Sequence, residues 1–134
     1  MIVVDTNVVA YLFLGGEKTL QARSAFQKDP VWAAPVLWRS EFRNVLAAYL
    51  RQEKLALSDA LDLVREAELI LQGAEFEVES GQVLSLVSSS RCSAYDCEFV
   101  ALARQIGVPL VTSDGQILSE FPATAMSLDV FAAR

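Results

Sequence analysis

Histidine is absent from the 134 residues, and cysteine occurs only at Cys92 and Cys97. These scarcities exclude a function resting on imidazoles or thiols, and a zinc site, which needs closely spaced pairs of such ligands. If both cysteines lie on one helix they face different sides, poorly placed for a disulfide, and they are read as reduced thiols. Glycine and proline are sparse, at six and four residues, so no linker, repeat or low-complexity tract divides the chain and its length suits one domain. No apolar run approaches the roughly 18 residues that cross a bilayer, because Asp5, Arg39, Glu41 and Asp96 interrupt the longest ones. The opening MIVVDTN lacks a basic n-region, which predicts no secretory signal and a cytoplasmic location.

Basic charge is scarce as well: 11 Lys and Arg against 17 Asp and Glu leave a net charge of −6. A nucleic acid approaching such a chain meets long-range repulsion unless Arg residues gather on one face or cations intervene. A site that concentrates carboxylates to hold divalent cations is compatible with this balance, because the ion reverses the local field. What the chain has in abundance is apolar side chains, 53% of the total, enough for a packed core.

The hydrophobic pattern predicts strands alternating with helices. Residues 1–5 form a β-branched apolar run suited to a strand buried on both faces. Helices are expected over 7–13, closed by Gly15 and Gly16, and over 18–27. A brief strand over 31–34 stops at Pro35. From 37 to 51 the apolar residues Trp38, Phe42, Val45, Leu46 and Tyr49 recur at helical spacing. A helix over 58–71 takes Ser58 as its N-cap and Gly73 as its stop. Phe76 and Val78 alternate with glutamates, which predicts a half-exposed strand, and a helix follows over 82–88. Residues 93–106 form a helix with Tyr95, Phe99, Leu102, Ala103 and Ile106 on one stripe, ending at Gly107. Pro109 then opens the strand PLVTSD. Strands joined through helices imply a mainly parallel sheet in an α/β fold, with ligands beyond the carboxyl ends of the strands.

Four acids stand where that arrangement makes them informative. Asp5 and Asp114 end two core strands. Glu41 lies at the edge of the stripe on its helix, and Asp96 projects between Val100 and Ala103. Each has an ordinary explanation: Asp5 as a helix cap, Glu41 as a solvated flank residue, Asp96 as part of a capping box with Ser93, Asp114 as a turn residue. Glu98 faces the other side, where it could serve as an auxiliary acid, and is read in preference as structural or solvated. Taken together the four acids can surround one cavity, and carboxylates so placed do not stay ionised without cations. Oxygen ligands suit Mg²⁺ or Mn²⁺, which activate water and orient phosphate. Thr6, Asn7 and Thr112 are short polar side chains suited to holding the acids in place.

At these residues the sequence resembles the PIN-domain family, in particular toxin ribonucleases of the VapC type. IVVDTN is similar to the family's first acidic motif, SEFRNVL to the helix with the second acid, SAYDCEFVALA to the third motif and PLVTSD to the fourth. The four occur in the family's order across nearly the whole chain. The resemblance implies a three-layer α/β/α fold and metal-binding acids at Asp5, Glu41, Asp96 and Asp114, with Asp5 and Asp96 as direct ligands of Mg²⁺ or Mn²⁺. It further implies endonucleolytic cleavage of RNA, a homodimer, and inhibition by a small antitoxin protein. Gly115 and Gln116 depart from the pattern, standing where a basic residue is common. Two other readings remain open from the residues themselves. One is a noncatalytic PIN-like module binding protein or RNA; the other is a receiver-like phosphoacceptor, disfavoured because the last lysine is Lys54.

Overall fold

β-branched side chains crowd a helix and suit a pleat, and Ile2, Val3 and Val4 accordingly form the central strand of the sheet. The computed structural model describes residues 1–133. Among them the elements run β1 (Ile2–Val4), α1 (Thr6–Leu14), α2 (Thr19–Lys28), β2 (Trp32–Pro35), α3 (Trp38–Arg51), α4 (Leu57–Ile70), β3 (Glu75–Phe76), α5 (Ser80–Ser88), α6 (Ala94–Ile106), β4 (Leu110–Thr112), α7 (Gly115–Glu120), β5 (Ala125–Ser127) and α8 (Leu128–Ala133). The strands order as β3-β2-β1-β4-β5, with every neighbouring pair parallel. In register, Val3 lies opposite Ala33 and Leu110, and Val4 opposite Val111.

Helices cover both faces, as the burial of every residue in β1, β2 and β4 requires. α6 packs on β1, β2 and β4 and against α5, whereas α1 joins α2, α3 and α4, and α2 meets α8. This is the expected three-layer α/β/α fold. Trp32, Trp38, Phe42, Leu71, Leu102 and Leu110 are among the largest fully buried side chains. Helices that follow parallel strands begin at the sheet's carboxyl edge, so the starts of α1, α3 and α7 share that edge. The chain leaves β1 for β2 on one side and β4 later occupies the other, so the crevice between β1 and β4 is the switch point where ligands bind in such sheets.

Several sequence expectations need correction. Pro35 closes β2 from inside rather than stopping the chain before it. α4 begins at Leu57 after an extended Ala56, so Ser58 lies within the first turn and caps nothing. The strand expected around Phe76 and Val78 is only Glu75–Phe76, and Glu75 turns inward instead of out. Its carboxylate accepts Arg39 Nε at 2.6 Å, Arg39 Nη2 at 2.8 Å and Trp38 Nε1 at 2.6 Å. Tyr95 is 62% exposed rather than on the apolar stripe of α6. Among the described residues no helix is long and apolar enough to cross a membrane.

Candidate active site

Each of the four acids sits at the start of a helix. Asp5 directly follows β1 and is the N-cap of α1; one carboxylate oxygen accepts the Val8 N–H at 3.0 Å. The other oxygen accepts the hydroxyl of Thr112, from the end of β4. Asp114 caps α7, accepting the Ile117 N–H at 3.0 Å, while its own N–H donates to Thr112 Oγ1 at 3.0 Å. One threonine hydroxyl therefore ties the two strand-end acids together. Glu41 lies in the first turn of α3 and accepts the Thr6 hydroxyl at 2.7 Å. Asp96 lies in the first turn of α6, and its N–H donates to Ser93 Oγ at 3.1 Å. The capping role anticipated for Asp5 is thus real and orients its carboxylate; of the capping box anticipated for Ser93 and Asp96 only the Ser93 half forms, on the Asp96 backbone N–H, and no hydrogen bond returns from the Asp96 carboxylate to the Ser93 N–H.

All four acids line one cavity of about 370 Å³, together with Thr6 and Asn7. Thr112 stands behind it, fully buried. Sequence reasoning missed Ser40, Asn44, Tyr95 and Phe99, which complete the wall. Helical spacing could have found the first two: Ser40 precedes Glu41, and Asn44 lies one turn beyond it. Glu98 opens instead onto an adjoining cavity with Val36, Leu37 and Leu84.

Burial and mutual repulsion dominate the electrostatics. Burial, with lesser contributions from the charges of Asp114 and Glu41, pushes the Asp5 carboxyl from 3.8 up to about 6, despite the opposing hydrogen bonds from Thr112 and Val8. Burial also raises Glu41, with Asp96 adding repulsion, and raises Asp96, with Asp114 adding repulsion. Glu98 moves the same way through burial and Glu41. Among the described residues no Lys or Arg lines the cavity, so the chain supplies no internal counter-charge there.

That deficit, and a donor set made only of oxygens, fit a hard divalent cation. Among the described residues no three Asp, Glu, His or Cys side chains are gathered tightly enough to cage an ion by themselves. A hydrated Mg²⁺ held by one or two carboxylates, with substrate oxygens completing its shell, needs no such cage. The donor chemistry is therefore suited to Mg²⁺ or Mn²⁺ in an open, water-accessible site, and unsuited to a closed structural zinc site.

Comparison with known proteins places the sequence and the fold. The sequence matches the PIN domain over residues 2–122. It is 28% identical over 126 residues to ribonuclease VapC3 of Pyrobaculum aerophilum, covering 91% of this chain and 95% of that relative. In structure it is similar to PAE2754 of Pyrobaculum aerophilum, with a TM-score of 0.79 at 18% identity over 99% of this chain and 94% of the other. It is similar also to a chain of a toxin–antitoxin complex from Klebsiella pneumoniae, with a TM-score of 0.71 at 15% identity over 96% and 98% of the two chains. At such identities the two structures speak to the fold alone. The domain match runs through all four acid-bearing segments, and the chain belongs to the PIN-domain family.

Proposed function

We propose that the protein is an endoribonuclease that hydrolyses RNA phosphodiester bonds with the help of Mg²⁺ or Mn²⁺, and that it is the toxin of a prokaryotic toxin–antitoxin pair. The observation that carries the reading is the set of four carboxylates, on four helix starts, around one cavity without a basic side chain. The ribonuclease relative supports the substrate, and the occurrence of the same fold in a toxin–antitoxin complex motivates the biological role.

In this reading Asp5 and Asp96 hold the ion, and Glu41 and Asp114 complete the set directly or through water. A bound divalent cation supplies the charge that draws in the phosphate, activates water and steadies the leaving oxygen. The chain's own work is positioning. Thr112 and the Val8 N–H fix both oxygens of Asp5, Thr6 fixes Glu41, and the Ile117 N–H fixes Asp114. Pre-set ligands of this kind do not reorganise when charge develops on the phosphate, which is where such sites gain most of their rate. Phe99, Leu37 and Ile117 form an apolar wall beside the acids. The protein works as a homodimer in the cytoplasm and is restrained by a small antitoxin protein.

The test is cleavage of an RNA panel by the wild type with Mg²⁺ or Mn²⁺, with EDTA, and by Asp5→Asn and Asp96→Asn. EDTA abolishes cleavage, and each substitution lowers it by about 100-fold or more, beyond what loss of an outer supporting contact costs. Undiminished cleavage in either variant overturns the assignment.

A further inference from the structure

We infer that the groove between α1 and α3 is a nucleotide subsite, where a base of the RNA strand leaving the acid cavity stacks on Tyr49; this rests on the nuclease reading above. A second cavity of about 350 Å³ adjoins the first and shares Asn7 and Val45 with it. Its walls follow from helix periodicity. Glu41, Val45 and Tyr49 recur at four-residue steps along α3, and Asn7, Tyr11 and Leu14 recur at four- and three-residue steps along α1, so each set forms one line. The Thr6–Glu41 hydrogen bond joins the two helices at the acid end. Tyr49 then stands about 12 Å of helix rise from Glu41, at the far end of one continuous track.

The chemistry of the track favours bases over phosphates. The side chains of Tyr11 and Tyr49 are half-buried in its walls. The charged residues lining it, Glu17 and Lys18, offset one another, and Lys18 also lies 3.8 Å from Asp129. Grip therefore falls to aromatic faces, which accept any unstacked base. That suits a chain of net charge −6, which gains little from phosphate neutralisation away from its cations. The Lys54 ammonium stands over one face of the Tyr49 ring, 6.0 Å from its centroid, which leaves the opposite face for a base and places one positive charge at the track's end. An unpaired RNA strand, which splays its bases, is the occupant these features fit; a duplex, with its bases stacked inside, is not.

The experiment compares Tyr49→Leu and Tyr49→Phe with the wild type in steady-state cleavage of a single-stranded RNA oligomer. In an Asp96→Asn background the same oligomer's affinity is read by fluorescence anisotropy with Mn²⁺, and melting curves check that each variant is folded. Tyr49→Leu raises KM and Kd together by about 5- to 150-fold, the range for loss of one stacking aromatic, whereas Tyr49→Phe keeps the ring face and stays within about twofold. Wild-type KM and Kd in Tyr49→Leu overturn the inference, and so does a Tyr49→Phe variant as weak as Tyr49→Leu. Normal RNA binding by Tyr49→Leu combined with lost affinity for a basic amphipathic peptide helix also overturns it, assigning the groove to a protein. If the wild type cleaves no RNA, the nuclease reading falls separately, while the anisotropy series still decides whether the groove holds RNA.

Discussion

Asp5 makes the stability of the protein depend on pH and metal in an unusual direction. Its carboxyl rises from 3.8 to about 6 on folding, which corresponds to about 3 kcal/mol against the ionised form. A group whose folded pKa is raised binds its proton more tightly in the folded state, so stability falls as pH rises between those two values and the full cost stands above pH 6. In EDTA, lowering the pH from 7.5 to 4.5 should therefore recover about 2 kcal/mol, or about 7 °C in Tm for a chain of this length. Glu41 and Asp96 shift in the same direction and add to the trend. Glu75, held below its usual range by Arg39, opposes it only as the pH falls further. Mn²⁺ at a hundred times its dissociation constant should restore about 2.7 kcal/mol at pH 7.5, and much less at pH 4.5, where Asp5 carries its proton. Asp5→Asn removes the charge while an asparagine still caps α1, so in EDTA at pH 7.5 the variant should melt higher than the wild type, by up to about 10 °C. Differential scanning fluorimetry across pH, with EDTA or Mn²⁺, reads all of these. A wild-type Tm that is flat from pH 4.5 to 7.5 in EDTA, or an Asp5→Asn variant no more stable than its parent, refutes the reasoning.

Two further outcomes follow from named contacts. Thr112→Val keeps the buried shape but removes the hydroxyl shared by Asp5 and the Asp114 N–H; it should cost about 1–3 kcal/mol and move the acid limb of the cleavage profile to higher pH, seen in a pH–rate series. Glu75→Gln leaves Arg39 with one formal partner fewer, and with Arg39 about one-third exposed the loss in a urea titration should be about 1 kcal/mol and should shrink at high salt.

Legibility of the fold tracked the length and period of each segment. α3 and α6 were readable because their apolar stripes extend over three or more turns, and β1 and β4 because β-branched runs end in acids. β5, α7 and α8 were not anticipated: Ala125–Ser127 is short and only partly buried, and α7 and α8 span six residues each, too few for a period to emerge. The reading of Glu75 as outward-facing failed for another reason. Its burial is satisfied by Arg39 and Trp38, residues 36 and 37 positions away, a pairing that no local pattern encodes. The four acids were legible as a set, and so were Thr6 and Thr112 as their supports. Which acid each threonine serves was not, since that depends on the junction of β1 with β4.

Glu75 and Asp5 show what the proposed cation would do for the acid cavity. Both carboxylates accept hydrogen bonds, Asp5 buried and Glu75 only partly so. Glu75 faces the guanidinium of Arg39, and its pKa falls. Asp5 has a helix start, a backbone N–H and a hydroxyl, and its pKa still rises to about 6. A helix start contributes about 0.3–1 kcal/mol to a nearby anion, well short of the about 3 kcal/mol that the shift represents. The chain places an arginine against the partly buried Glu75, yet among the described residues none lines the cavity where three further acids gather. The chain supplies no positive charge there, and the hydrated divalent ion of the proposed function would bring it to an all-oxygen site that retains access to water.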